Sequence, residues 1–146
     1  MRHYLLLLAS ALLLLGMNRP AAGSMELAIN DIEHNYGTLW IGIYASEEAF
    51  LDKDQAHLEA IEVKDFKDKH IYLNDLDYGD YAVALFHDLN NNGELDVNWL
   101  GVPEEPFAFS RPISSKWRLP KFSEVKVGLY QSHKTVFANL KTWWDQ

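Results

Sequence analysis

GDYAVALFHDLNNNGELD, residues 79–96, holds a strand and its sudden end. Tyr81, Val83 and Leu85 alternate with smaller neighbours, the period-two pattern of a half-buried strand. The alternation stops at His87-Asp88, and oxygen-bearing side chains then recur at every second position: Asp88, Asn90, Asn92, Glu94 and Asp96. A chain that wraps a hard cation must present oxygens at such short intervals, because calcium takes about six to eight oxygen ligands. The stretch therefore reads as a strand that delivers an ion-type loop.

Working outward, the same period-two signal recurs along most of the chain. Met25, Leu27 and Ile29 alternate with Glu26, Ala28 and Asn30, and Leu39, Ile41 and Ile43 with Thr38, Trp40, Gly42 and Tyr44. Further runs lie at Glu59–Asp65, His70–Asn74, Glu124–Gln131 and Lys134–Lys141. With the central run this predicts about seven short strands separated by turn residues, an all-β antiparallel sandwich. One short helix is expected at Ser46–Leu51, where Ser46 can cap and Glu47 and Glu48 suit the first turn. Gly79 is expected to supply a positive φ, and Tyr81 either to tie a sandwich corner through its hydroxyl or to sit as a plain strand aromatic.

The chain has 146 residues, one domain's worth. Its start, MRHYLLLLASALLLLGMNRPAAG (1–23), pairs Arg2 and His3 with an apolar run at Leu5–Leu15 and the small residues Ala21, Ala22 and Gly23. That is the pattern of a secretory signal peptide cleaved near Gly23, leaving a sandwich domain at 24–146 that is periplasmic or secreted. The run falls short of the ~20 residues that span a bilayer, so no transmembrane segment is expected in the mature chain. No cysteine is present, which excludes disulfides and lipid attachment through a cysteine. Removing Arg2 and Arg19 leaves 11 basic against 21 acidic residues, a net charge of −10. Such a surface repels nucleic acid and anionic lipid and attracts cations or basic partners.

Against the calcium-loop spacing of the EF-hand, Asp88, Asn90, Asn92 and Asp96 occupy positions 1, 3, 5 and 9. Glu94 sits at position 7, where the backbone carbonyl serves, and Gly93 at position 6, where the sharp turn needs it. Position 12 carries Trp99 instead of the bidentate glutamate, and a strand precedes the loop instead of a helix. Glu104, Glu105 or Asn98 is left to complete the shell. The competing reading is a loop of Asx turns without an ion. Calcium fits better than magnesium, which keeps its waters, or zinc, for which His87 alone is no ligand set. His34, His57, His70 and His133 show no ligand spacing.

Residues 88–122 lack sustained alternation yet carry Trp99, Leu100, Phe107, Phe109, Ile113, Trp117 and Leu119. Long connections of this kind are usually functional or disordered, and this composition argues for order. A weak strand is expected near Phe107–Ser110. Two segments, YGDYAVALFHDLNNNGELD (78–96) and NWLGVPEEPFAFS (98–110), resemble the signature of a bacterial exported family, domain of unknown function 2141. Members of that family usually carry glycine where this chain has Ala108. The resemblance implies an exported transthyretin-like or immunoglobulin-like sandwich with no established activity.

Three functions compete. In the first, a non-enzymatic sandwich uses calcium to order the long connection, so that Phe107, Phe109, Ser110, Arg111, Trp117 and Arg118 form a rim able to grip a sugar or a peptide; the alternative for those aromatics is core packing. In the second, a hydrolase uses His87, Asp88, Asp96, Glu104 and Glu105, although no nucleophile elbow or cysteine exists. In the third, an accessory or assembly protein engages a partner or a membrane surface through Trp143-Trp144, which otherwise cover one end of the sandwich.

Overall fold

The computed structural model describes residues 21–146. The expected signal peptide lies outside them, except for Ala21, Ala22 and Gly23. Eight strands form: β1 (Ala22–Asn30), β2 (Thr38–Tyr44), β3 (His57–Glu62), β4 (His70–Asp77), β5 (Gly79–Asp88), β6 (Phe107–Phe109), β7 (Val127–Leu129) and β8 (His133–Asn139). One sheet has the order β4-β1-β8 and the other β3-β2-β5-β6, with β7 also paired to β5. The fold is the all-β sandwich that the alternation predicts. All of these pairings are antiparallel except β1 with β8, which run parallel in a register from Ser24↔His133 to Asn30↔Asn139.

The core follows from the pleat. Met25, Leu27 and Ile29 of β1 and Val136 and Ala138 of β8 face Leu39, Ile41 and Ile43 of β2 and Val83 and Leu85 of β5. Each of these leucine, isoleucine, valine and methionine side chains contributes roughly 1.5–3 kcal/mol by leaving water. The outer face of β5 is covered too. Tyr44, Ala82, Phe122 and Val125 form a second buried cluster, with Phe50, Phe109 and Ile113 against it. Ser110 ties this layer down: its Oγ accepts from Val83 N at 2.9 Å and donates to Val125 O at 2.6 Å.

Three local expectations are corrected. Ser46–Leu51 is a series of turns, although Ser46 Oγ does accept from Ala49 N at 3.2 Å. The helix lies instead at Phe122–Val125 (α1), overlapping the start of the 124–131 run whose alternation reads as a strand; of that run only Val127–Leu129 pairs. Glu124 decides this, since its carboxylate reaches back to Lys121 N at 2.8 Å and closes the first turn. Gly79 is not in the left-handed region; the left-handed residue before β5 is Asp75, at φ 57°. Tyr81 does tie the corner, its hydroxyl donating to Asp77 O at 2.8 Å. The weak strand near Phe107 forms as β6, and Ala108 is buried in the core. Among the described residues no helix is long and apolar enough to cross a membrane.

Candidate functional site

β5 carries Asp88 to the mouth of the long connection and buries it completely. Its Oδ2 accepts from Gly93 N at 2.8 Å and from the Trp40 indole at 3.1 Å, and its Oδ1 from Asn92 N at 3.2 Å. Burial pushes the carboxyl's pKa up, but the N–H of Gly93, the Trp40 indole and the N–H groups of Asn92 and Asn91 outweigh it and hold the group below the usual aspartate value. Gly93, at φ 81°, supplies the sharp turn, and Asn91 is left-handed beside it.

The expected loop residues meet around Asp96. Asn90 Nδ2 donates to Asp96 Oδ2 at 2.6 Å and Asn92 Nδ2 to Asp96 Oδ1 at 2.9 Å. The two amide oxygens cap backbone further on: Asn90 Oδ1 accepts from Asn92 N and Asn92 Oδ1 from Glu94 N. Glu105, buried like Asp88, closes the loop from the other end, with Oε1 accepting from Leu89 N at 2.7 Å and Oε2 from Asp96 N at 3.2 Å. Five of the seven expected ligands, Asp88, Asn90, Asn92, Asp96 and Glu105, thus share one hydrogen-bonded nest. Glu94 and Glu104 join it through their backbone N–H groups while the residues themselves are exposed. Asn98 is elsewhere: its Oδ1 accepts from Leu100 N and Val102 N at the tip of a small hairpin that Val97 and Pro103 bridge. Lys53 is the cation that approaches, its Nζ 3.5 Å from Gly93 O and 5.3 Å from the Trp40 ring centre. Among the described residues no three histidine or carboxylate side chains are spaced to hold an ion together. His87 is spent on structure, since its Nε2 donates to Tyr36 O at 2.7 Å.

Beyond this nest the connection opens an apolar cleft of about 440 Å³. Its walls are the 95–103 hairpin, through Val97 and Leu100, and the 113–120 limb, through Trp117 and Leu119; Phe107 and Trp143 also line it. The rim residues split accordingly. Phe107 and Ser110 are buried and Phe109 is half-buried, whereas Arg111, Trp117 and Arg118 are exposed. The C-terminal pair splits too: Trp143 is buried and packs edge-on against Trp117, with centroids 5.6 Å apart, while Trp144 is exposed.

A second polar cluster was not legible in the sequence. Glu26 on β1 receives His70 from β4 at 2.8 Å, and from β8 it receives Thr135 at 3.0 Å and His133 at 3.3 Å. Strands 44 and more residues apart build it, and no local spacing signals it. The Thr135 hydroxyl and then, against the push of burial, His70, His133 and Tyr72 hold Glu26 below the usual glutamate value.

A family model described as "Uncharacterized protein conserved in bacteria (DUF2141)" matches residues 27–137, which span β1 to β8 and the whole nest. No curated protein and no solved structure matches the chain.

Proposed function

The chain belongs to that family, and from its sandwich frame we propose that it is an exported, non-enzymatic binding protein whose 88–105 loop takes a calcium-type cation and so braces an apolar binding cleft. The observation that carries the reading is the convergence of Asn90 and Asn92 on Asp96 inside a nest that also holds Asp88 and Glu105. An amide oxygen has two lone pairs. Asn90 Oδ1 and Asn92 Oδ1 each spend one on a backbone N–H, which leaves each a second for an ion. A cation replacing the two amide nitrogens against Asp96 would collect these oxygens in the 1-3-5-9 order of a calcium loop. Glu94 or Glu104, both exposed, would swing in to complete the shell.

Support for a non-enzymatic role comes from how the carboxylates are used. Asp88 and Glu105, two of the hydrolase candidates, are buried and committed to backbone N–H groups rather than aimed into the cleft. The apolar cleft and its exposed aromatics suit a ligand or partner with an apolar face more than a sugar.

Thermal melting with and without calcium tests the cation. Affinity is expected on the order of 10⁻⁴–10⁻³ M, the range of extracellular modules. At a tenfold excess over Kd the gain is about 1.4 kcal/mol, and chelator removes it. An unchanged melting temperature at millimolar calcium refutes the cation and leaves the cleft as the remaining functional feature.

A further inference from the structure

Whole-chain charge hides a local reversal. Residues 111–121, RPISSKWRLPK, carry Arg111, Lys116, Arg118 and Lys121 with no acidic residue, in a chain of net charge −8. The opposing hairpin tip, 97–103, carries no charge at all. Both limbs lift apolar side chains into water: Trp99 is 90 % exposed, Trp117 79 %, Leu119 75 % and Leu100 65 %, with Trp144 at 78 % on the adjoining C-terminus. Scattered surface apolar residues are ordinary, but bulky ones gathered around one apolar cleft mark an interaction face. Tryptophan beside leucine, ringed by lysine and arginine, suits the boundary of a bilayer, where the indole sits at headgroup depth and the cations meet anionic lipid.

We infer that this face, the rim of the apolar cleft with the basic 111–121 limb, docks on an anionic lipid bilayer. The inference rests on the proposed reading of the cleft as the binding face and names its partner. Lys116, half-buried beside the cleft, brings a charge against an aromatic: its Nζ donates to Trp143 O and lies 5.9 Å from the Trp143 ring centre. Arg118 is partly offset, because it forms a bidentate pair with Glu124 at 2.6 and 2.7 Å. Arg111, Lys116 and Lys121 supply the remaining charge. Among the acids close in sequence to this face, Glu124 is already paired with Arg118 and Asp145 accepts from Thr142, while Glu94, Asp96 and Glu104 flank the 97–103 hairpin tip.

Residues 21–146, which contain both sheets in full, are the form to test, in chelator so that the outcome does not depend on calcium. Co-sedimentation with phosphatidylglycerol-containing vesicles is compared with pure phosphatidylcholine vesicles, alongside tryptophan emission. Binding to the anionic vesicles at least about tenfold tighter, with a blue shift, is expected from this charge and aromatic arrangement. Trp117→Ser/Leu119→Ser, both at exposed positions and with a melting curve to check that the fold is kept, should lose both, and Arg111→Gln/Lys116→Gln should lose the anionic preference. Absence of binding to either vesicle overturns the inference, as does undiminished binding by the serine variant. So does sedimentation showing a stable dimer that the serine variant dissolves, since a second copy then covers the face. None of these results bears on calcium, whose test is the melt.

Discussion

Asp88 and Glu26 are both carboxylates held below their usual pKa, and they are held in opposite ways. Asp88 is fully buried and takes backbone N–H groups from its own loop, four and five residues on, plus one indole. Glu26 lies on the outer face of the three-stranded sheet and takes only side chains, from strands on both sides. The first is a local folding device: without it, the connection has no base. The second is a surface network between strands that the core already holds. Burial and donor type, more than the number of partners, decide what each is worth.

The sharpest way to break that comparison is Asp88→Ala. It strips an acceptor from Gly93 N, Asn92 N and the Trp40 indole at a buried point, and unsatisfied buried donors cost roughly 1–3 kcal/mol each. A loss of about 3–5 kcal/mol is expected in urea unfolding, with the proposed calcium-dependent shift abolished. Asp88→Asn, which keeps the volume, should fall between the variant and the parent. A loss below about 1 kcal/mol would mean that the loop does not depend on this carboxylate.

Gly37→Ala probes the same base from the neighbouring turn. Gly37 has φ 86°, and a Cβ there would come 2.4 Å from Asp88 O, a backbone atom that cannot step aside. The turn must shift, and with it Gly37 O, which accepts from Val63 N at 3.0 Å. The expected cost is about 2–3 kcal/mol, read from the same unfolding curves. If the alanine variant matched the parent, the clasp between the 35–37 turn and the end of β5 would be slack.

How much of each cluster could be read beforehand follows from the same contrast. The strands centred on Leu27, Ile41, Val83 and Val136 are legible because each turns its large aliphatic side chains to one face, and the pleat writes that into the sequence as alternation. Asp88, Asn90, Asn92 and Asp96 are legible as a group because their partners lie within a few residues. Three features were misread, each through competition between local signals. The 124–131 run alternates like a strand, but the Glu124 bond to Lys121 N and the packing of Phe122 and Val125 against β5 wind its start into α1. Ser46 caps a turn that no apolar stripe continues. Gly79 precedes a strand without needing its freedom, because Asp75 takes the left-handed position. Glu26 with His70 and His133 was out of reach, since the parallel pairing of β1 with β8 joins the two ends of the domain. Trp117 illustrates a further limit: its residue type suits either a binding rim or a core, and only the structure, in which it is exposed beside the open cleft, decides.

The smallest effect belongs to Glu26→Gln, and its sign with pH is what matters. A carboxyl whose folded pKa lies below its unfolded one adds stability above the unfolded value, here 4.5, and loses it as pH falls through the folded value. Asp88 behaves alike, from an unfolded value of 3.8. The parent should therefore lose stability on acidification below these unfolded values, as Glu26 and Asp88 each take up a proton. Glu26→Gln should lower the melting temperature slightly at neutral pH, leave the proposed calcium shift intact and remove Glu26's share of the acid limb, which lies below pH 4.5. Asp88→Asn should instead remove the share that lies below pH 3.8. Melting curves from pH 3 to 7 on the parent and the two amide variants separate these limbs. If Glu26→Gln cost as much as Asp88→Ala, the three-stranded sheet would depend on its surface network, and the contrast between the two carboxylates would fail.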